Sequence, residues 1–173
     1  MLYCCSCTTP LGPATAAADE EALTGFWFAG QKYYPADGAA FIERPGHPAF
    51  AGLRRWLDSY FAGENPLPDF ALNPGGTPFQ KAVWDILLRI PHGKVSTYGA
   101  IAAQLAKRRG APFMSARAVG SAVGHNPISL LIPCHRVVGS DGSLTGYAGG
   151  IDKKEFLLRL EQADYSGIRR KRG

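Results

Sequence analysis

The sequence of 173 residues predicts an α/β domain followed by a mostly helical one. Three observations point there. Residues 2–28 break into short β-rich runs divided by turn residues, whereas from Pro48 onward apolar residues recur at helical spacing. A Pro/Gly-rich passage, 64–68 and then Asn73-Pro74-Gly75-Gly76, separates the two regimes. Charge changes sign across it: residues 1–75 carry four Lys/Arg and eight Asp/Glu, and residues 76–173 carry fifteen and six. The expected domains are 1–75 and 76–165, with 166–173 as a basic tail.

The first half opens on strands expected at 2–9, 14–18 and 23–28, punctuated by Pro10-Leu11-Gly12-Pro13, Asp19-Glu20-Glu21 and Gly30. Phe50, Leu53, Leu57, Tyr60 and Phe61 then mark a helix, with Pro48 suited to its first turn and Gly63 just past its end. In the second half Thr77 can cap a helix whose stripe is Phe79, Ala82, Val83, Ile86, Leu87 and Ile90. The next helix is expected from Ser96 or Thr97 to about Lys107, burying Ile101, Ala102 and Leu105. A short third one covers 115–123, with Ala118, Val119, Ala122 and Val123 inward. The apolar run 128–132 reads as a strand. A last helix is expected from Asp152, capped through Glu155, with Phe156, Leu157 and Leu160 inside.

Composition narrows the class. At 46% hydrophobic and 19% charged residues, the chain can bury a core and is no disordered tail. No apolar run approaches the roughly 20 residues that span a bilayer, and the N-terminus lacks the pattern of a signal peptide. A cytoplasmic protein without membrane contact is expected. The basic second half suits a polyanion, and 169–172 reads as a disordered cationic tail. Cys4, Cys5 and Cys7 crowd one strand, too close for a disulfide framework, and read as small buried hydrophobes in a reducing compartment.

Two patterns carry chemistry. The second and third helices of the C-terminal half have the order of a helix-turn-helix. The outer face of the third shows Arg117, Gly120, Ser121 and Gly124, one long cation among residues with almost no side chain. Such a face can approach a narrow groove closely; a small-residue helix packed on a neighbour is the plainer reading. Downstream lies Pro133-Cys134-His135-Arg136. A Cys next to a His can be a nucleophile with its base, yet neighbours on a strand point to opposite faces, so contact requires a bend or a bridging water.

The strings Asn126-Pro127, Ile132-Pro133-Cys134-His135-Arg136-Val137-Val138 and Gly146-Tyr147-Ala148-Gly149-Gly150 resemble the active-site signature of the O6-alkylguanine-DNA alkyltransferases. The resemblance extends through Thr77-Pro78-Phe79-Gln80, Gly93-Lys94-Val95-Ser96-Thr97-Tyr98 and Arg117-Ala118-Val119-Gly120, and reaches Thr9-Pro10-Leu11-Gly12 and Gly30-Gln31-Lys32-Tyr33-Tyr34. It implies a ribonuclease-H-like N-terminal domain and a C-terminal helix-turn-helix that enters the minor groove of double-stranded DNA and flips the damaged nucleotide. Cys134 is implied as the alkyl acceptor, His135 as its base through a water, Glu161 as the group orienting His135, and Asn126 as the support of the turn. Tyr98 is implied at the lesion's phosphate side and as a proton donor, and Arg117 in the space the base leaves, with Gly120 and Ser121 beside it. Val137, Tyr147, Ala148 and Gly149 are implied as the guanine pocket. The lesions would be O6-alkylguanine and O4-alkylthymine. No cofactor, metal or obligate protein partner is implied, and location would be the cytoplasm or a bacterial nucleoid.

Two departures stand out. The connection 107–113 is longer than the usual turn, and its Arg108 and Arg109 read as phosphate contacts or as part of a loose loop. Ala148 stands where some members carry a hydroxyl, which removes one hydrogen bond to O6. A DNA-binding relative without chemistry would lack the cysteine. A cysteine hydrolase would need an oxyanion hole that no motif suggests. A regulator built on this domain would need a further sensing domain.

Overall fold

The computed structural model describes residues 1–35, 40–164 and 169–170. It divides into two compact units, Met1–Gly75 with Pro127–Ser129, and Gly76–Asn126 with Leu130–Gly173.

The first unit is a five-stranded mixed sheet in the order β4-β1-β2-β3-β5. Strand β1 (Leu2–Thr9) alternates, with Tyr3, Cys5, Cys7 and Thr9 buried, as a half-covered strand should. The turn to β2 (Gly12–Ala18) is closed by Thr9, whose Oγ1 accepts from the Leu11 N–H and donates to the Gly12 carbonyl. Strands β1, β2 and β3 (Ala22–Phe28) form an antiparallel meander, while β4 (Phe41–Glu43) and β5 (Ala71–Leu72) add parallel edges. Gly25 lies beneath the Trp27 indole, in space that a Cβ would occupy. Helix α1 (Pro48–Phe61) packs across β1, β2 and β3 with Phe50, Leu53, Trp56, Leu57 and Tyr60 buried. Its cap is the His47 imidazole, which accepts from the Ala49 N–H.

The run 128–132 is not a strand. Pro127–Ser129 instead joins the first unit: Ile128 makes a single parallel bridge to Phe26, the Phe26 N–H donates to the Pro127 carbonyl, and the Ser129 N–H donates to the Phe26 carbonyl. Turns follow, with Leu130 at φ 75°, because Asn126 Nδ2 ties back to the Ile132 carbonyl at 2.7 Å and closes the run into a loop.

In the second unit, helices α2 (Pro78–Leu88), α3 (Tyr98–Arg108) and α4 (Ala116–Gly124) pack on one another. Their N-termini follow the sequence chemistry: Thr77 and Gln80 form a reciprocal capping box, and Thr97 and Ser115 accept from the backbone N–H of Ala100 and Ala118. Trp84 buries its indole in α2 and donates to the Ala122 carbonyl of α4 at 2.8 Å. Residues Ser96–Thr97 form β6, which pairs in parallel with β7 (Val137–Val138) and so fixes the start of α3 beside the segment that carries Cys134. In α4 the buried stripe is Val119, Ala122 and Val123; Ala118, expected inward, is exposed because it sits one residue, about 100°, off that stripe.

Helix α5 (Ile151–Leu160) departs further from expectation. It begins at Ile151 behind Gly150, which takes φ 100°, and no side chain caps it; Glu155 pairs with Arg159 instead. Phe156 is 41% exposed and Leu160 only half-buried. The inner stripe is Lys154, Leu157, Leu158 and, just past the helix, Glu161, so two ionisable residues occupy positions that a hydrophobic pattern assigns to apolar ones. Of the basic tail expected over 166–173, only Arg169 and Arg170 are described; they form β9, parallel to β8 (Ser143–Leu144), and the rest lies outside the described residues. Among the described residues no helix is long and apolar enough to cross a membrane.

Candidate active site

Cys134 opens a single turn of 3-10 helix, Cys134–Arg136, directly before β7. At three residues per turn, neighbouring side chains diverge by about 120° rather than 180°, which supplies the bend that a strand would have denied. The turn is held by the Cys134 N–H on the Ile132 carbonyl and the Arg136 N–H on the Pro133 carbonyl. Cys134 is 4% exposed. Burial pushes its thiol up from the ordinary value, and a hydrogen bond with Asn126, the charge of Lys154 and the backbone N–H groups of the turn pull the other way. Asn126 thus both closes the preceding loop and reaches the sulfur.

His135 is wholly buried, with Nε2 2.6 Å from Glu161 Oε2. Burial lowers its pKa against the pull of Glu161, so the ring is neutral at neutral pH. Burial works to raise the Glu161 carboxyl, but the hydrogen bonds and charges of His135 and Arg136 outweigh it and hold Glu161 well below the usual carboxylate range. An ionised carboxylate only accepts, so Nε2 carries the ring hydrogen and Nδ1 is left as the basic nitrogen. Nδ1 is buried with no hydrogen-bond partner among the described residues.

Arg136 is the site residue to which the sequence assigned no role. Its Nε donates to Glu161 Oε1 at 2.8 Å, one terminal nitrogen to Oε2 at 3.1 Å, and the other to the Ile90 carbonyl at 2.7 Å. The carboxylate is therefore clamped on both oxygens, and the end of α2 is tied to the same point. Lys154 was missed as well, although its spacing to Glu161, the residue that caps α5, places both on one helix face.

Tyr98, the first residue of α3, donates through Oη to the Thr145 carbonyl at 3.2 Å. Burial, and then the charge of Cys134, push its phenol up to about 12, so it keeps its proton. Its ring faces Gly120 on α4, where a Cβ would sit in ordinary contact at 3.8 Å. Val137 is fully buried, and Tyr147 is buried with its hydroxyl lacking a described partner. Ala148 and Gly149 are half-buried on the loop before α5. Arg117 and Ser121 are exposed on the outer face of α4. The structure thus joins His135 to Glu161 and Asn126 to Cys134, and the Cys134 charge acts on Tyr98 and Tyr147, whereas Arg117 and Ser121 are exposed on the outer face of α4.

The long connection after α3 is built rather than loose. Arg108 pairs with Asp85 at 3.1 Å, the Arg109 guanidinium lies over the Phe79 ring, and Gly110 at φ 62° turns the chain. In the first unit Cys5 and Cys7 bring their sulfurs to 3.9 Å; the hydrogen bond with Cys7 and then burial push the Cys5 thiol up. Among the described residues no group of three or more His, Cys, Asp or Glu is arranged to hold a metal.

Two family models match the chain: the ribonuclease-like domain of 6-O-methylguanine DNA methyltransferase over residues 2–73, and the DNA binding domain of the same family over 78–163. A methylated-DNA–protein-cysteine methyltransferase of Mycobacterium tuberculosis is 45% identical over 94% of both chains, and one of Methanosarcina acetivorans is 46% identical over 88% of this chain and 94% of its own. Among solved structures, the M. tuberculosis O6-methylguanine methyltransferase superposes with a TM-score of 0.81 at 45% identity, covering 94% of this chain and 93% of that one. The M. tuberculosis protein in complex with DNA gives the same TM-score at 44% identity, covering 92% of each. With both domain models matched in order and relatives this similar along nearly the full length, the chain belongs to the 6-O-methylguanine DNA methyltransferase family.

Proposed function

We propose that this methylated-DNA–protein-cysteine methyltransferase repairs DNA directly, moving the alkyl group of O6-alkylguanine, and of O4-alkylthymine, onto Cys134. The observation that carries this reading is the buried arrangement of Cys134 beside a neutral His135 whose Nε2–H is committed to Glu161. An unperturbed thiol near pKa 8.5 is only a few per cent thiolate at neutral pH. A water between Cys134 and His135 Nδ1 relays the thiol proton to the imidazole, and the imidazolium is stabilised by Glu161. The thiolate attacks the alkyl carbon in line. The S–C bond forms as the C–O6 bond breaks, the electron pair leaves with the guanine, and Tyr98, which keeps its proton at neutral pH, supplies the proton the base takes up. A thioether has no easy reverse path, so each molecule acts once.

An O6-alkyl group is hidden in stacked duplex, so the base must be extruded at a cost of a few kcal/mol. The outer face of α4, with exposed Arg117 and Ser121 and half-buried Gly120, enters the minor groove of the double-stranded DNA partner, and Arg117 fills the vacated stack. Val137, Tyr147, Ala148 and Gly149 wall the pocket that receives the base.

Intact mass after mixing with O6-methylguanine duplex tests the reaction. A gain of one methylene equivalent on the Cys134 peptide, absent in Cys134→Ala while DNA binding persists, is the expected result. Transfer by Cys134→Ala within tenfold of the unsubstituted protein would place the acceptor elsewhere.

A further inference from the structure

Lys154 is the most unusual residue of the second unit. Its side chain is wholly buried on the inner stripe of α5, and its Nζ donates to the Thr145 carbonyl at 2.9 Å. Lysines are almost never fully buried without an acidic partner, since an unpaired charge in the interior is strongly disfavoured. Among the described residues none of the ion pairs includes Lys154. Glu161, two turns along the same face, is taken by His135 and Arg136. A carbonyl offers this cation a dipole but no opposite charge.

We propose that Lys154 is the counter-charge of the Cys134 thiolate, a positioning residue that favours the ionised sulfur. The proposal rests on the reading of Cys134 as the nucleophile and adds a second device to the His135–Glu161 pair. Helix α5, which carries Lys154, packs against the 3-10 turn that opens on Cys134, and the Thr145 carbonyl that takes Nζ is shared with Tyr98. On α3, Tyr98 stays protonated, with its phenol pushed up to about 12 by burial and the Cys134 charge. From the loop before α5, Tyr147 stays protonated for the same reasons. From the 3-10 turn, His135 is neutral and Arg136 is spent on Glu161. Of these groups, Cys134 and Lys154 are the two whose charges favour one another. Burial lowers the Lys154 ammonium to about 8 while the Cys134 charge pulls it back up, and Lys154 in turn lowers the thiol. The Thr145 carbonyl that holds Nζ also accepts from Tyr98 Oη, so the same ammonium braces the loop leading to Tyr147.

The test separates charge from bracing. Lys154→Gln keeps an N–H donor for Thr145 without the charge, and Lys154→Met keeps the apolar stem, so either folded variant suffices. The thiolate of Cys134 is titrated in the absence of DNA by ultraviolet absorbance, as the difference between each protein and its Cys134→Ser counterpart. Methyl transfer from O6-methylguanine duplex is timed over the same range, about pH 6 to 10. An opposite charge nearby shifts such a group by about one unit or more. The expected result is a midpoint raised by about one pH unit in the variant, with transfer about tenfold slower near pH 7 and converging on the unsubstituted rate toward pH 10. An unmoved midpoint, with transfer slowed by one constant factor at every pH, would overturn the proposal and leave Lys154 a structural brace. Because the titration needs no DNA, a raised midpoint in a protein that transfers no methyl would refute the repair reading alone.

Discussion

Arg136 and His135, neighbours in sequence, grip the same Glu161 carboxylate, one through Nε at 2.8 Å on Oε1 and the other through Nε2 at 2.6 Å on Oε2. Glu161→Gln breaks both grips at once. Methyl transfer should fall about 10²–10⁴-fold, the usual contribution of positioned acid–base groups, while affinity for duplex changes little. Stability should drop by about 3 kcal/mol because the largely covered Arg136 guanidinium, 12% exposed, loses its charged partner. Equal losses in affinity and rate would show that the 3-10 turn itself had come apart.

The same pair makes the fold sensitive to acid. The His135 pKa is lowered in the folded protein, so the unfolded chain takes up a proton first, near pH 6.5, and stability begins to fall below that value. The Glu161 pKa is also lowered; its contribution is complete above the unfolded carboxylate value of about 4.3 and is lost as pH falls from there through the folded value. Urea midpoints from pH 8 down to about 3 should show both stages, and Glu161→Gln should lack the lower one.

Lys154→Met should unfold at the same temperature or a higher one at pH 7, despite its slower chemistry. A buried ammonium lowered to about 8 from 10.5 costs stability wherever the unfolded chain holds that proton more firmly. Replacement by an apolar residue of similar length should be neutral or stabilising by about 1–2 kcal/mol, shrinking as pH rises toward 10.5. A clear loss of stability at pH 7 would mean that the bond to Thr145 outweighs the buried charge.

Arg117 separates two jobs that an exposed arginine can do on DNA. A phosphate contact would lower the salt slope of binding by about one when removed and weaken all sequences alike. Replacement of an extruded base predicts that Arg117→Ala slows repair of duplex and spares the reaction with free O6-alkylguanine base. The close approach allowed by Gly120 and Ser121 favours the second outcome. A similar fold-loss on both substrates would sink it.

Replacement of Cys4, Cys5 and Cys7 by Ala should leave a protein that still accepts one alkyl group. Cys5 and Cys7 sit on the buried face of β1 and contribute packing, so the cost should be about 1–2 kcal/mol of stability. A folded triple variant unable to react would reassign one of them to the chemistry.

Much of this was legible in the residues because local chemistry decided it. Thr77, Thr97 and Ser115 announce helix starts, and each accepts the backbone hydrogen bond that its type favours. The Cys134 string marked the turn on which the structure sets His135 against Glu161. What escaped was fixed by tertiary partners. Helix α5 looked apolar through Phe156 and Leu160, yet its inner stripe carries Lys154 and Glu161, because the partners of those charges lie on the turn and loop opposite. Arg136 was visible as a motif letter but not as a clamp, since its acceptors, Ile90 and Glu161, are 46 and 25 residues away. The 128–132 run has the composition of a strand, and no pattern within it reveals the Asn126 tie that folds it into a loop.

Pro127–Ser129 also sets an order on biosynthesis. The five strands of the first unit leave the ribosome within the first 72 residues, but their last companion segment, bridged to Phe26 and reaching Gln31 through Ser129 across 98 residues, arrives only after α2, α3 and α4 have been made. Its late closure is a long-range contact of the kind that slows folding. The nascent sheet therefore stays incomplete along β3 at least until the chain has grown to within five residues of Cys134, and the 3-10 turn that opens there lies just beyond.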